Sequence, residues 1–205
     1  MSKIFALSAA LVLTGLIGGT AGYVWYKQAG DPFAECRSSA VGGGAIGGPF
    51  TLQDETGAQI TDREVLNTPA LVYFGYSFCP DVCPLDNVRN AEAVDILEEQ
   101  GFDVTPIFIS IDPERDTPEV MGDYAEMIHP KMRGLTGTEA QVKAAAQAYK
   151  VYYKKAQSAD PDFYMMDHST FTYLMLPDKG FADFFRREES SDRMAERVAC
   201  FMQNS

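Results

Sequence analysis

Apolar and polar positions alternate in three different ways along this chain, and each way predicts a different kind of element. Residues 4–26 carry no charge across 23 positions between Lys3 and Lys27, and about 20 apolar residues suffice to cross a bilayer. The run is long for a secretory signal and has no convincing small-residue cleavage site, so residues 1–27 read as an uncleaved membrane anchor. Tyr23, Trp25 and Tyr26 stand at its exit like an interfacial aromatic belt. Lys3 and the amino terminus are set against Lys27, offset by Asp31 and Glu35, which favours an N-terminus in the cytoplasm and the bulk of the chain outside. A cleaved signal peptide is the competing reading of the same run.

The pattern then breaks. Residues 28–45, with Gly42, Gly43 and Gly44, followed by Gly47 and Gly48, read as a linker or an irregular entry segment, and a single folded domain is expected over residues 46–205. Residues 50–53 and 58–60 flank a polar turn and predict a hairpin. Residues 71–74, Leu-Val-Tyr-Phe, are an unbroken apolar run between Pro69 and Gly75, the pattern of a strand buried on both faces. A helix is expected over residues 84–100, with Leu85, Val88, Ala91, Val94 and Leu97 at near-helical spacing and Gly101 ending it.

A second buried strand is expected over residues 104–111. Thr117 before Pro118 is an N-cap and first-turn pair for a helix to about residue 128, and Thr138 with Gln141 makes a capping box for another to residue 149. Residues 151–153 and 163–165 flank a polar turn and are candidates to pair. Residues 171–176, the turn 177–180 and residues 181–185 form an antiparallel pair, and a last helix covers residues 192–202. Strand, helix, strand, helix, hairpin, helix is the order of an α/β thioredoxin-like domain, in which the first crossover is right-handed and parallel.

Composition narrows the range of functions. A formal charge of −12 argues against nucleic-acid binding, which leaves a basic footprint. Four cysteines are too few for a disulfide scaffold, so they are local staples or working thiols.

Two of them, Cys79 and Cys83, follow the buried strand directly, in FCPDVCP. Open sheets collect ligands at the carboxyl ends of their strands. Spacing of four, with Pro80 and Pro84 favouring helical φ, places both sulfurs on one face where the following helix begins. The helix's unpaired N–H groups stabilise thiolate there, the form that binds metal and attacks disulfides. Of the two histidines, His129 sits at a helix end and reads as structural or solvated. His168, in MMDHST before the strand 171–176, lies where such a fold brings a loop back to the cysteines; a third ligand and a hydrogen-bonded loop histidine are equally open. Asp167 could orient its ring or simply end a strand. Met165 and Met166 are soft thioethers nearby but read as packing, since neighbours on a strand face opposite ways. Two thiolates and an imidazole suit copper or zinc, with copper favoured for an exported site that must also release its metal.

FGYSFCPDVCP, ISIDPERDTPEV, YKVYYKK and DHSTFTYLMLP together resemble the Sco/SenC copper proteins, from about residue 47 to residue 180. The resemblance implies a membrane-anchored thioredoxin-like domain that binds one copper ion, Cu(I) or Cu(II), and serves assembly of the binuclear copper centre of cytochrome c oxidase. It assigns the metal to Cys79, Cys83 and His168, and links Asp81 to copper handling and partner recognition. No Arg-rich transit peptide precedes the anchor, which favours a bacterial inner-membrane protein facing the periplasm. The expected partners are the copper-centre subunit of the oxidase and another periplasmic copper chaperone or thioredoxin-like reductant.

Two functions of different class remain: a metallochaperone that passes copper on by ligand exchange, and a thiol-disulfide oxidoreductase using Cys79 and Cys83 to keep partner cysteines reduced. Redox or copper signalling is a weaker third. Thioredoxin-type enzymes generally carry CxxC, and the wider CxxxC favours the chaperone. Cys36 and Cys200 lie outside the motif, on the exported side of the anchor and near the two ends of the domain, so a structural disulfide between them is expected.

Overall fold

The computed structural model describes residues 12–24, 30–37, 46–158 and 163–205. Residues 12–24 form helix α1. Among the described residues no helix is long and apolar enough to cross a membrane, and residues 1–11 and 25–27 of the expected anchor lie outside them.

The domain is built on a five-stranded sheet of order β5-β4-β3-β8-β9. Its centre is β3 (Ala70–Gly75), every residue of which is buried. It pairs in parallel with β4 (Thr105–Ser110), and β4 pairs in parallel with β5 (Arg133–Leu135). On the other side, β8 (Thr172–Leu176) runs antiparallel to β3, and β9 (Gly180–Phe185) antiparallel to β8. A small hairpin of β1 (Thr51–Gln53) and β2 (Gln59–Thr61) leads into a single helical turn, α2 (Asp62–Val65). The helices α3 (Val82–Glu99), α4 (Pro118–Ile128), α5 (Glu139–Ala148) and α6 (Ser191–Gln203) cover the sheet. A second ribbon, β6 (Tyr153–Lys155) with β7 (Met166–His168), stands apart from the main sheet.

Alternation along β3 splits the core in two. Leu71 packs with Ala93, Val94 and Leu97 of α3, Leu174 of β8 and Val198 of α6, while Phe74 packs 5.1 Å from the ring of Tyr149 at the end of α5. The local signals for α4 and α5 act as read: Thr117 and Thr138 accept hydrogen bonds from Val120 N and Gln141 N, and Gln141 reaches back to Thr138 N. The sequence reading omitted α2 and β5, the first a single turn and the second three residues long. Chain entry into β5 depends on Gly134, where a Cβ would stand 2.2 Å from the carbonyl oxygen of Met121.

Three expectations need correcting. Helix α3 starts at Val82, not residue 84, which places Pro84 within its first turn, where the missing N–H costs nothing. Leu85 and Val88 are 59% and 44% exposed, and Asp86, Asn87, Arg89 and Asn90 take the buried face instead. The early turns of α3 lie over polar ends of the sheet: Tyr73 donates to Asp86 (3.0 Å), and Arg89 donates to Thr172 Oγ1 (3.1 Å) and the Arg186 carbonyl (3.0 Å). Finally, residues 30–37 are not free linker. Phe33 packs 5.2 Å from Phe201 of α6, and Cys36 is disulfide-bonded to Cys200, with Cα atoms 5.6 Å apart. Residues 38–45 lie outside the described residues.

Candidate metal centre

Cys83 is in the first turn of α3 and fully buried; Cys79 is half-buried in the loop between β3 and that helix. The two sulfurs therefore do not share a helix face, as their spacing suggested. The loop instead folds so that Cys79 Sγ accepts from the Cys83 N–H at 3.4 Å. Asp81, at the N-cap position, is exposed and makes no side-chain cap bond, and the Cys79 sulfur takes that role. Gly75 makes room for the partner: a Cβ there would come within 2.9 Å of Cys83 Sγ and 2.7 Å of Phe108.

His168 belongs to β7, in register with Tyr153 of β6. Both strands of the ribbon lie beyond the apolar clusters that predicted them, β6 by two residues (153–155 rather than 151–153) and β7 by three (166–168 rather than 163–165). This pairing brings His168 Nε2 to 3.4 Å from Cys83 Sγ. Its Nδ1 lies 2.8 Å from the Ser169 carbonyl oxygen, a contact only an N–H can make. In the neutral ring the proton is therefore on Nδ1, and the Nε2 lone pair faces the sulfurs. Asp167 is exposed and plays no part in that bond. Tyr73 and Tyr76 pack edge-on against the ring, with centroids 6.2 and 5.9 Å away. Tyr76 also donates to the Met165 thioether at 3.8 Å, while Met166 is partly buried against the core.

The thiols are inequivalent. Cys79 is lowered to about 3, chiefly by the hydrogen bond from the Cys83 thiol, with the N–H groups of Cys83 and Asp81 assisting against burial. Cys83 moves strongly upward, because it donates to Cys79 and is buried. The pair thus rests as one thiolate beside one thiol. In the reduced, metal-free protein, Cys79 should react with iodoacetamide at a rate that stays flat from neutral pH down to about pH 5, while Cys83 stays unmodified. A rate that climbs tenfold per pH unit through this range would show an ordinary thiol and refute the arrangement.

The other sequence candidate is placed elsewhere. His129, buried at the end of α4, accepts from Lys131 N at Nδ1 (3.1 Å) and so donates from Nε2 to Asp95 (3.1 Å). Asp95, Glu98 and His129 converge closely enough to suggest a ligand group, but Lys131 already bonds Glu98 and Asp103, and the Nε2 lone pair is not available. Sequence reasoning missed Tyr73, Tyr76, Asp86 and the group that follows β4. In that group the buried Asp116 accepts from Ser77 N (3.2 Å), Ser77 Oγ and Ser110 Oγ (2.6 Å), tying the cysteine loop to the end of β4. The signal was available, since Asp112, Arg115 and Asp116 follow the carboxyl end of a buried parallel strand.

A thioredoxin-like domain with a thiolate, a second cysteine and an imidazole nitrogen gathered at the end of its central strand defines a soft-metal or dithiol protein. The chain belongs to the SCO1/SenC family, which its residues 39–203 match. It is 50% identical over 202 residues to the protein SenC of Rhodobacter capsulatus, spanning 98% of this chain and 91% of that one. Among solved structures it is similar to Arabidopsis thaliana ScoI with copper bound, at 40% identity, 78% and 99% coverage and TM-score 0.74. It is also similar to Bradyrhizobium japonicum ScoI with copper bound, at 37% identity, 78% and 100% coverage and TM-score 0.69.

Proposed function

We propose that this chain is a membrane-anchored copper metallochaperone of the bacterial inner membrane. Residues 1–27 hold it there, its domain faces the periplasm, and it delivers one copper ion to the binuclear copper centre of cytochrome c oxidase. The observation that carries this reading is the His168 ring, whose Nδ1 is committed to the Ser169 carbonyl while Nε2 points its lone pair at Cys83. A dithiol enzyme has no need of that third donor. Thiolate and imidazole together suit copper, and copper is the metal held by the two similar ScoI structures.

Cys79, Cys83 and His168 would hold the ion, and transfer would proceed by ligand exchange. Cys79 is the accessible sulfur and the first to meet an incoming thiolate, whereas buried Cys83 and His168 retain the ion until the exchange is complete. The wall formed by Tyr73 and Tyr76 limits water on the inner side of the ring.

One observation also favours the second reading, a thiol-disulfide oxidoreductase. Cys79 is an activated, partly exposed thiolate with a protonated neighbour. It could attack a partner disulfide; Cys83 would then displace the mixed disulfide, so that two protein thiols lose two electrons and two protons as the partner gains two thiols. The two roles separate in cells. A strain lacking this chain should lose oxidase copper-centre assembly, and added copper should partly restore it. Failure of copper to restore activity, with rescue by a small reducing thiol, would favour the oxidoreductase. Full rescue by Cys79→Ser under ordinary copper would defeat both. A reporter fused after Ser205 should work only if its activity requires export.

A further inference from the structure

Arg115 lies outside the three metal-binding side chains, yet it touches both segments that carry them. Its side chain is mostly buried. Nε donates to Asp112 at 2.5 Å, and Nη1 donates to the Tyr164 carbonyl at 3.0 Å. The guanidinium carbon stands 3.6 Å from the Tyr164 ring centroid, 4.7 Å from that of Phe78 and 5.6 Å from that of Tyr76. Nη2 is buried without a hydrogen-bond acceptor, and the aromatic faces around it supply the attraction that an oxygen would otherwise give.

Phe78 immediately precedes Cys79, and Tyr76 packs edge-on against His168. Tyr164 begins the run into β7 and His168, and its hydroxyl returns to Asp112 at 2.7 Å and Glu114 at 3.1 Å. Phe163 meets Phe78 ring to ring at 6.1 Å. The cysteine loop and the histidine strand are 85 residues apart in sequence at their closest contact, and in this region they are bridged by one planar cation anchored to a buried carboxylate at the end of β4. We infer that Arg115 is a positioning residue for copper: its guanidinium clasps the Tyr76–Phe78 loop to the Tyr164 segment, and so sets the distance between the Cys79–Cys83 pair and His168.

The inference rests on the copper reading of the site, and two measurements keep them separable. In the metal-free, reduced protein, Arg115→Ala should raise amide hydrogen exchange in residues 76–80 and 163–168 together, while the strands β3, β4 and β8 stay protected. In the copper-loaded protein, the same change should speed loss of Cu(I) to a colorimetric chelator by about 10–100-fold, the range typical when an outer support of a metal ligand is removed. It should also shift the sulfur-to-Cu(II) charge-transfer band.

Arg115→Lys keeps the charge beside Asp112 but not the planar, two-sided contact, so it should recover less than half of the change in exchange. Tyr164→Phe, which keeps the ring and loses only the hydroxyl bonds to Asp112 and Glu114, should stay near wild type in release rate. Wild-type exchange, release and spectrum in Arg115→Ala would overturn the inference. So would full recovery by Arg115→Lys, which also serves as the test variant should the alanine protein fail to fold. If the wild type takes up no copper while the exchange of both segments still depends on Arg115, the copper reading falls and the clasp stands as a fold feature only.

Discussion

Replacing His168 with alanine is expected to abolish high-affinity copper binding while leaving the domain folded. The ring is half-buried at the edge of a two-stranded ribbon, and its packing is limited to the edges of Tyr73 and Tyr76, so its loss leaves both core clusters intact. Copper would keep two sulfurs and lose its third donor. The loss of affinity should exceed the roughly 10–100-fold that follows removal of an outer-shell partner, and it should be read in competition with a Cu(I) chelator. The Cu(II) charge-transfer band should weaken or vanish in the same protein, with far-UV circular dichroism unchanged. Copper retention equal to wild type would remove His168 from the ligand set and leave the dithiol reading of the site in front.

The second large effect concerns the disulfide between Cys36 and Cys200, which closes a loop with a sequence separation of 164. Loops of that length give the greatest chain-entropy gain, and removing a native bridge typically costs about 2–5 kcal/mol. Here the bridge also fastens residues 30–37, with Phe33 against Phe201, to the helix that covers the outer face of the sheet. The double variant Cys36→Ser, Cys200→Ser should therefore melt roughly 4–20 °C lower, given the 2–4 °C per kcal/mol expected for a domain of this size. Its copper stoichiometry should not change, because neither cysteine belongs to the site. An unchanged melting temperature would mean that noncovalent packing against α6 alone holds residues 30–37 in place.

The sequence was most informative where one local signal had one physical meaning. Four consecutive large apolar residues at positions 71–74 can only be buried on both faces, and they form the central strand. Thr117 with Pro118, and Thr138 with Gln141, satisfy orphan backbone groups using side chains within one turn, so α4 and α5 begin where these residues stand. The short elements α2 and β5 carry too few residues for any period, and β5 exists because β4 offers it a partner and Gly134 admits the backbone of Met121.

Helix α3 shows the limit of reading by hydrophobic spacing. Leu85 and Val88 have the right period, but the inward direction of a helix is decided by what it meets, and here that is a tyrosine hydroxyl, a threonine and a carbonyl that demand polar partners. Cys79 and Cys83 were legible as a pair because their separation is short and local. The sequence alone determined the strand that precedes them, the helix that stabilises a thiolate and the presence of soft donors. Tertiary structure alone decided the rest. It set the tautomer of His168 through the Ser169 carbonyl, separated the two thiols into thiolate and thiol through the hydrogen bond between them and the deeper burial of Cys83, and placed Arg115 between two loops distant in sequence. Those features depend on groups meeting across long stretches of chain, and a distance between side chains has no trace in the residues that lie between them.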